Sequence, residues 1–161
     1  MSSKTPIIKQ TNWVSSAIHL LIIGVFMLIW YVFHSENAIF YGALTYFLIS
    51  YSLKNLIPRD HRKGVKKTKL EKFEDAIPYF EKSYAFFKKH EWLDKYRIIT
   101  LLSPSRIAYR EMALANIGFC YGQIGNGKQS KLYYEKTLIE FPESGLAKTA
   151  LKLISAAEKN A

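Results

Sequence analysis

The stretch LANIGFCYGQIGNGKQSKLYYEKTLIEFP, from Leu114 to Pro142, decides how the C-terminal part of this chain folds. Its apolar and small residues recur at helical spacing on both sides of Gly125-Asn126-Gly127, where the two glycines interrupt the pattern. The pattern predicts two helices joined by a short turn. Gly118 in the first helix and Ser130 in the second are small enough to let the two backbones approach closely. We therefore expect a helical hairpin with larger side chains around that contact.

The order of residue types in this hairpin resembles the tetratricopeptide (TPR) repeat, a family of stacked helical hairpins. Ser130 and Thr137 stand where the family usually has alanines, so the residues at the contact remain small. Part of the pattern recurs 54 residues earlier, where Ala76 and Phe80 match Ser130 and Tyr134. Family repeats run about 34 residues, which implies an insertion of about 20 residues between the two units. The positions that carry the resemblance and the expected packing are Leu114, Ile117, Gly118, Tyr121, Ser130, Tyr134, Thr137, Pro142, Ala76 and Phe80.

The first helix of the earlier unit departs from this pattern. Gly64 matches Gly118, but Lys63 and Lys67 occupy the positions of Ile117 and Tyr121. We therefore interpret this helix as degenerate and begin the TPR-like domain at residue 70, extending it to residue 161. A helix after Pro142 is expected to cap the array.

The insertion, from about His90 to Ser105, carries Trp92, Tyr96 and Ile99 at helical spacing. An aromatic stripe of this kind predicts an extra amphipathic helix packed on the hairpins, and contact with a membrane surface is the alternative. Ser103-Pro104 then offers a start for the helix that runs to Ile124.

The N-terminal part of the chain is apolar and has few charged residues. After a short polar tail over residues 1–12, no charged residue occurs from Trp13 to Phe33, a length sufficient to cross a bilayer. This segment lacks the small-residue cleavage site of a secretory signal peptide, so we expect it to remain as an anchor. A second apolar run, Ala38 to Ile57, predicts a transmembrane hairpin with spans of about residues 13–33 and 38–57. Lys and Arg flank the pair and are missing from the loop between the spans, which places both termini in the cytoplasm.

His19 is the ionisable group well inside the first span. Such a group is a candidate for proton or cofactor chemistry. The sequence offers no second intramembrane histidine as a ligand partner, so a hydrogen bond to the partner span, at Ser50 or Tyr51, is the expected role.

The net charge of +10 is concentrated directly after the apolar part. Residues 58–69 hold six Lys or Arg against Asp60, a local excess of +5. A basic segment in this place favours anionic lipid headgroups, whereas a globally basic surface would favour nucleic acid. The alternative remains open that this segment is a solvated linker whose positive charge reflects membrane topology alone. The candidate headgroup contacts in this juxtamembrane segment are Arg59, Arg62, Lys63, Lys66 and Lys67.

No catalytic motif accompanies these features. The glycines around Asn126 join two helices and follow no strand, so they do not form a phosphate-binding loop. The single cysteine, Cys120, is expected to pack as a small apolar residue, and the four histidines show no spacing typical of metal ligands. We predict no enzyme activity, no cofactor and no metal site.

The resemblance to TPR proteins implies a protein-interaction module whose concave face is formed by the first helices of successive repeats. His61 and Ala115 stand where family members that clamp a C-terminal carboxylate have lysines, which implies a mostly apolar or helical partner segment instead. The expected concave face comprises Met112, Ala115, Asn116, Phe119 and Gln123.

The sequence thus predicts an all-α, membrane-anchored adaptor. One alternative is a small subunit of an integral membrane complex that binds through its spans, and another is an accessory protein that acts through His19. Self-association stays open. The size and organisation resemble small bacterial membrane proteins, which implies a bacterial plasma membrane.

Overall fold

The computed structural model describes residues 13–33, 36–103 and 105–159, and it confirms the all-α class. The expected polar tail over residues 1–12, part of the first loop, and Pro104 lie outside the described residues. The helices are α1 Trp13–Val32, α2 Ala38–Leu56, α3 Arg59–Lys69, α4 Phe73–Lys89, α5 Glu91–Lys95, α6 Arg97–Thr100, α7 Tyr109–Gln123, α8 Gly127–Glu140 and α9 Gly145–Lys159.

The chain divides into two compact units. The hairpin unit joins α1 and α2 with the segment Tyr96–Ile107. The array unit joins residues 55–95 with residues 108–161 and therefore holds α3, α4, α5, α7, α8 and α9. Most of the basic juxtamembrane segment, which we had placed outside the helical domain, is thus α3, the first helix of the array unit, and the domain begins before residue 70.

In the hairpin unit, α1 and α2 lie against each other in opposite directions. A Cβ placed on Gly42 would lie 2.7 Å from the backbone nitrogen of Met27, so this glycine marks a close approach of the two helices. Trp30 donates from Nε1 to Thr45 Oγ1 at 3.1 Å and contacts the Tyr41 ring, with 5.1 Å between centroids. Gly42 therefore serves a helix–helix contact within the chain.

Among the described residues, α1 alone is long and apolar enough to cross a membrane, over Ser15–Val32. Only 6% of this stretch is buried, unlike the core helix of a soluble domain. α2 carries hydroxyl-bearing residues among its apolar ones and has Lys54 near its end. These residues make α2 less apolar than α1.

The array unit is built on two hairpins, α3 with α4 and α7 with α8, and α4 packs against α7. In the second hairpin a Cβ on Gly118 would lie 3.2 Å from the Tyr134 ring. In the first hairpin a Cβ on Gly64 would lie 2.8 Å from Cε1 of Phe80. Both contacts therefore join a glycine to the ring sixteen residues later. The helix interpreted as degenerate packs in the same way as its counterpart.

Most of the residues expected at the packing positions are buried. Tyr121 is half-buried, with its ring stacked on that of Tyr133 at 5.5 Å, and Pro142 is exposed. Asn126 caps α8 by accepting a hydrogen bond from Gln129 N at 3.1 Å, and Gly125 has the positive φ of 79° that this turn requires. The buried members of the set are Ala76, Phe80, Leu114, Ile117, Gly118, Ser130, Tyr134 and Thr137.

The insertion differs from the single packed helix that we expected. It forms two short helices, α5 and α6, and its stripe is uncovered: Trp92 is 59% exposed, Tyr96 54% and Ile99 60%. The buried residues are instead Leu101 and Leu102, which follow α6. Helical spacing places the three stripe residues on one side but does not show whether that side is covered, and this is why the prediction was wrong.

The start of α7 also differs from the prediction. The helix begins at Tyr109, and its N-cap residue, Ala108, has no side chain able to accept a hydrogen bond. Asp94, which is 1% exposed, accepts hydrogen bonds from Tyr109 N at 2.7 Å and from Arg110 N at 3.0 Å. A carboxylate at a helix N-terminus accepts hydrogen bonds from free N–H groups and interacts favourably with the helix dipole. Asp94 of α5 therefore caps the N-terminus of α7.

Replacing Gly64 with Ala should destabilise the array unit, since the new methyl group would overlap the buried Phe80 ring. Overpacking costs about 1–3 kcal/mol, against a gain in helix propensity of roughly 1 kcal/mol. We expect a lower urea midpoint by circular dichroism. The matched control is Gly127→Ala, because no atom lies within 4 Å of a Cβ at Gly127. A midpoint for Gly64→Ala that equals or exceeds that of Gly127→Ala would contradict the close contact.

Replacing Asp94 with Ala should cost about 1–2 kcal/mol in the free energy of unfolding, because two N–H groups of α7 lose their acceptor. Asp94→Asn retains one acceptor oxygen and should lose less. The exposed Glu143→Ala serves as a control. Equal stability of the Asp94→Ala protein and the parent would show that the cap contributes nothing.

Candidate interaction surface of the array unit

The α7 helix is covered on most of its circumference. Ala113, Leu114, Ala115, Ile117, Gly118 and Cys120 are buried. At 100° per residue, positions 112, 116, 119 and 123 fall on the remaining side of the helix. Gln123 is exposed, whereas Met112, Asn116 and Phe119 are half-buried. These four residues form the accessible stripe of α7, which is the name used below.

Ala115 does not belong to this stripe. It is 6% exposed and clusters with Tyr134 and Ala147, with Leu146 and Ala150 of α9 packed against the cluster. The position that we expected to face a partner is therefore buried in a cluster to which α8 and α9 contribute. The sequence showed that α9 would pack but did not show which residues of α7 it would cover.

Phe119 is the largest apolar residue of the accessible stripe. Its ring meets that of Phe73 edge to face, with 6.0 Å between the centroids, and it packs on the cluster that contains Ala76 and Ile117. One side of the ring is thus fixed by the core while part of it stays accessible. An aromatic side chain held in this way can contribute to binding with little loss of conformational entropy.

The α3 helix buries one side and presents its cations on the other. His61 and Gly64 are buried, and Arg59, Arg62, Lys63 and Lys66 are exposed. These four cations lie within an arc of about 100°, judged from 100° per residue. Lys69, which we had not included, is exposed at the edge of the same arc. We call these five residues the basic face of α3.

Lys67 is not part of the basic face. Its Nζ pairs with Asp75 Oδ2 at 2.9 Å, and this carboxylate raises the pKa of the Lys67 ammonium. Lys67 corresponds to Tyr121 of the second hairpin. At this position the first hairpin therefore has an ion pair between α3 and α4. Lys63 makes a related contact, with its ammonium 5.7 Å from the centre of the Tyr79 ring.

His61 occupies the buried side of α3. Its ring meets the rings of Phe80 and Tyr109 edge to face, at 5.4 Å and 5.3 Å, and its Nδ1 lies 3.3 Å from Ser83 Oγ. Burial in these apolar surroundings lowers the pKa of the imidazole to about 4. His61 is therefore neutral at physiological pH and adds no positive charge to the basic face.

Cys120 is fully buried in the array, as expected for a packed small residue. Burial raises the pKa of its thiol, which therefore remains protonated at neutral pH. Over residues 13–33, 36–103 and 105–159, no group of three or more His, Cys, Asp or Glu is placed to hold a metal ion.

In the hairpin unit, His19 does not form the hydrogen bond to Ser50 or Tyr51 that we expected. Its Nε2 lies 3.4 Å from the carbonyl oxygen of Ile98, in α6, and its ring is 6.3 Å from that of Tyr46. The partner is therefore in the insertion, some eighty residues away in the chain. Spacing within the spans could not have revealed this contact.

Comparison of the chain with protein-family models, with curated proteins and with solved structures finds no match.

The buried imidazole of His61 predicts a dependence of stability on pH. In the unfolded chain the group titrates near its ordinary pKa of 6.5, and in the fold near 4. Protonation therefore favours the unfolded state as the pH falls from 6.5 to 4, and we expect a loss of roughly 2 kcal/mol by pH 5. Urea unfolding of His61→Gln and parent at pH 7 and 5 tests this. The variant should lose less stability, and parallel losses would contradict the assignment.

Proposed function

We propose that this chain is a membrane-anchored adaptor that uses a TPR-like helical array to bind another protein at the cytoplasmic surface of a bacterial plasma membrane. In this proposal α1 and α2 both span the bilayer and both termini are cytoplasmic. The observation that carries the proposal is an almost uncovered 18-residue apolar stretch in α1, followed in the same chain by a packed helical array with an accessible aromatic stripe.

The anchor is supported by the nature of the uncovered surface. Leu20, Leu21, Leu28 and Val32 of α1 are all largely exposed. A surface of this kind is unfavourable in water, because each buried methylene group contributes about 0.8 kcal/mol and an exposed one forgoes it. Lipid is the solvent that matches it. Because α2 lies antiparallel to α1 at Gly42, it accompanies α1 into the bilayer in this proposal.

The basic face of α3 supports the cytoplasmic orientation. Arg59 follows the end of α2 at Leu56 by three residues, so α3 starts within about 10 Å of the end of that helix. Five exposed cations at this distance from a span fit the anionic headgroups of an inner leaflet, each contributing about 1 kcal/mol near such a surface. They also satisfy the positive-inside rule.

The binding role rests on the accessible stripe of α7. Phe119 supplies a fixed apolar anchor, and Asn116 and Gln123 supply amide groups beside it. A stripe with residues at i, i+4, i+7 and i+11 suits an amphipathic helix or an extended apolar segment of a partner. Anchoring the array raises its effective concentration toward partners in the same membrane.

A photo-crosslinking phenylalanine analogue placed at Phe119 of the full chain tests this function in intact membranes. The same analogue at Phe86, an exposed phenylalanine of α4, is the matched control. We expect the protein to resist alkaline carbonate extraction and to give a discrete crosslinked product from position 119 that is weak or missing from position 86.

Two results would contradict the proposal. Release of the protein by carbonate without detergent would exclude the anchor. Crosslinks obtained from Leu21 or Leu28 of α1, with none from position 119, would instead favour a small subunit of a membrane complex that binds through its spans.

A further inference from the structure

The segment Tyr96–Ile107 leaves the array unit and belongs to the hairpin unit. Its contact with α1 is made at His19, whose Nε2 lies 3.4 Å from Ile98 O. Ser15, one turn earlier on the same side of α1, is fully buried, so α1 is covered on this side near its N-terminal end. No other residue of the apolar stretch of α1 is buried to this extent.

The position of His19 fixes the depth at which the segment meets α1. The apolar stretch begins at Ser15 and His19 follows four residues later, about 6 Å along the helix axis. Eighteen helical residues cover about 27 Å, which matches a hydrocarbon core of about 30 Å with Ser15 close to its edge. Residue 98 therefore lies within about one helical turn of the boundary between acyl chains and headgroups.

Several backbone N–H and C=O groups of this segment are hydrogen-bonded within the segment, which suits a position near hydrocarbon. The Arg97 guanidinium donates to the carbonyl oxygen of Ser105 at 3.0 Å and to that of Arg106. Ser103 N donates to Arg97 O at 3.0 Å, and Ser105 Oγ accepts from Ile107 N at 3.2 Å. Irregular backbone is tolerated near hydrocarbon only when its polar groups are paired, and here a side chain supplies the donors.

The outward side of this segment carries the residue types that favour the bilayer interface. Tyr96 and Ile99 are three residues apart and both are more than half exposed, while Leu101 and Leu102 are buried. Tyrosine places its ring among the upper acyl carbons and its hydroxyl among the headgroups, and isoleucine adds apolar area beside it.

We propose that Tyr96 and Ile99 insert into the bilayer interface, in the leaflet that holds the N-terminal end of α1, so that residues 96–107 form a second membrane contact besides the span. This inference rests on the anchor of the proposed function.

The experiment uses the full chain with Cys120→Ala as a background, so that a single engineered cysteine carries an environment-sensitive fluorophore. Ile99→Cys reports the proposed contact and Leu21→Cys reports the span. Ile139→Cys, at an 80% exposed apolar residue of α8, is the matched control. Each protein is reconstituted into phosphatidylcholine and phosphatidylglycerol vesicles with lipids that carry a nitroxide quencher high on the acyl chain. Circular dichroism verifies that each variant is folded.

We expect blue-shifted emission and several-fold stronger quenching at position 99 than at position 139, with quenching also at position 21. Emission at position 99 equal to that at position 139, with position 21 still quenched, would overturn the inference and leave the anchor intact. A probe at position 99 that is shielded from water but not quenched would indicate protein contact and would also overturn it. Loss of quenching at position 21 would remove the anchor and the inference together.

Discussion

The packing of an aromatic ring directly on a helical glycine is the constraint on which the array unit depends. Gly64 lies against the Phe80 ring and Gly118 against the Tyr134 ring, with the same sixteen-residue interval in each hairpin. At both positions a Cβ would crowd the ring, so the missing side chain lets each hairpin close to its observed distance. The packing of α4 against α7 then joins the two hairpins into one core.

The sequence predicted this part of the fold well because its determinants are local or periodic. The glycine and the ring of the second hairpin, the turn at Gly125 and the burial of Ala76 and Phe80 all follow from residue size at fixed spacing. The all-α class follows in the same way, as does a first helix long and apolar enough to span a membrane. The TPR resemblance and the partner-binding role of the stripe on α7 stay predictions.

The features that the sequence did not predict depend on contacts between distant segments. The carboxylate of Asp94 caps a helix that begins fifteen residues later, and His19 meets a carbonyl in an insertion that periodicity had placed on the array. Ala115 is buried in a cluster with Tyr134 of α8 and Ala147 of α9, which only the three-dimensional arrangement reveals. A buried carboxylate such as that of Asp94 needs a partner, but neither its partner nor the neighbours of His19 and Ala115 could be read from spacing.

The lysines of α3 combine contacts within the first hairpin with exposure of their positive charge. The second hairpin has Ile117 and Tyr121 at the positions that correspond to Lys63 and Lys67, so α3 carries cations where its counterpart carries apolar side chains. Lys67 instead closes the hairpin through Asp75, and Lys63 lies over Tyr79, so the stems of both lysines pack while their charges stay near water. Exposed ion pairs contribute little stability, so the buried contacts of Gly64 with Phe80 and of His61 with Phe80 and Ser83 hold this hairpin. On this argument the departure from the repeat pattern is tolerated because Gly64 and Phe80 are retained.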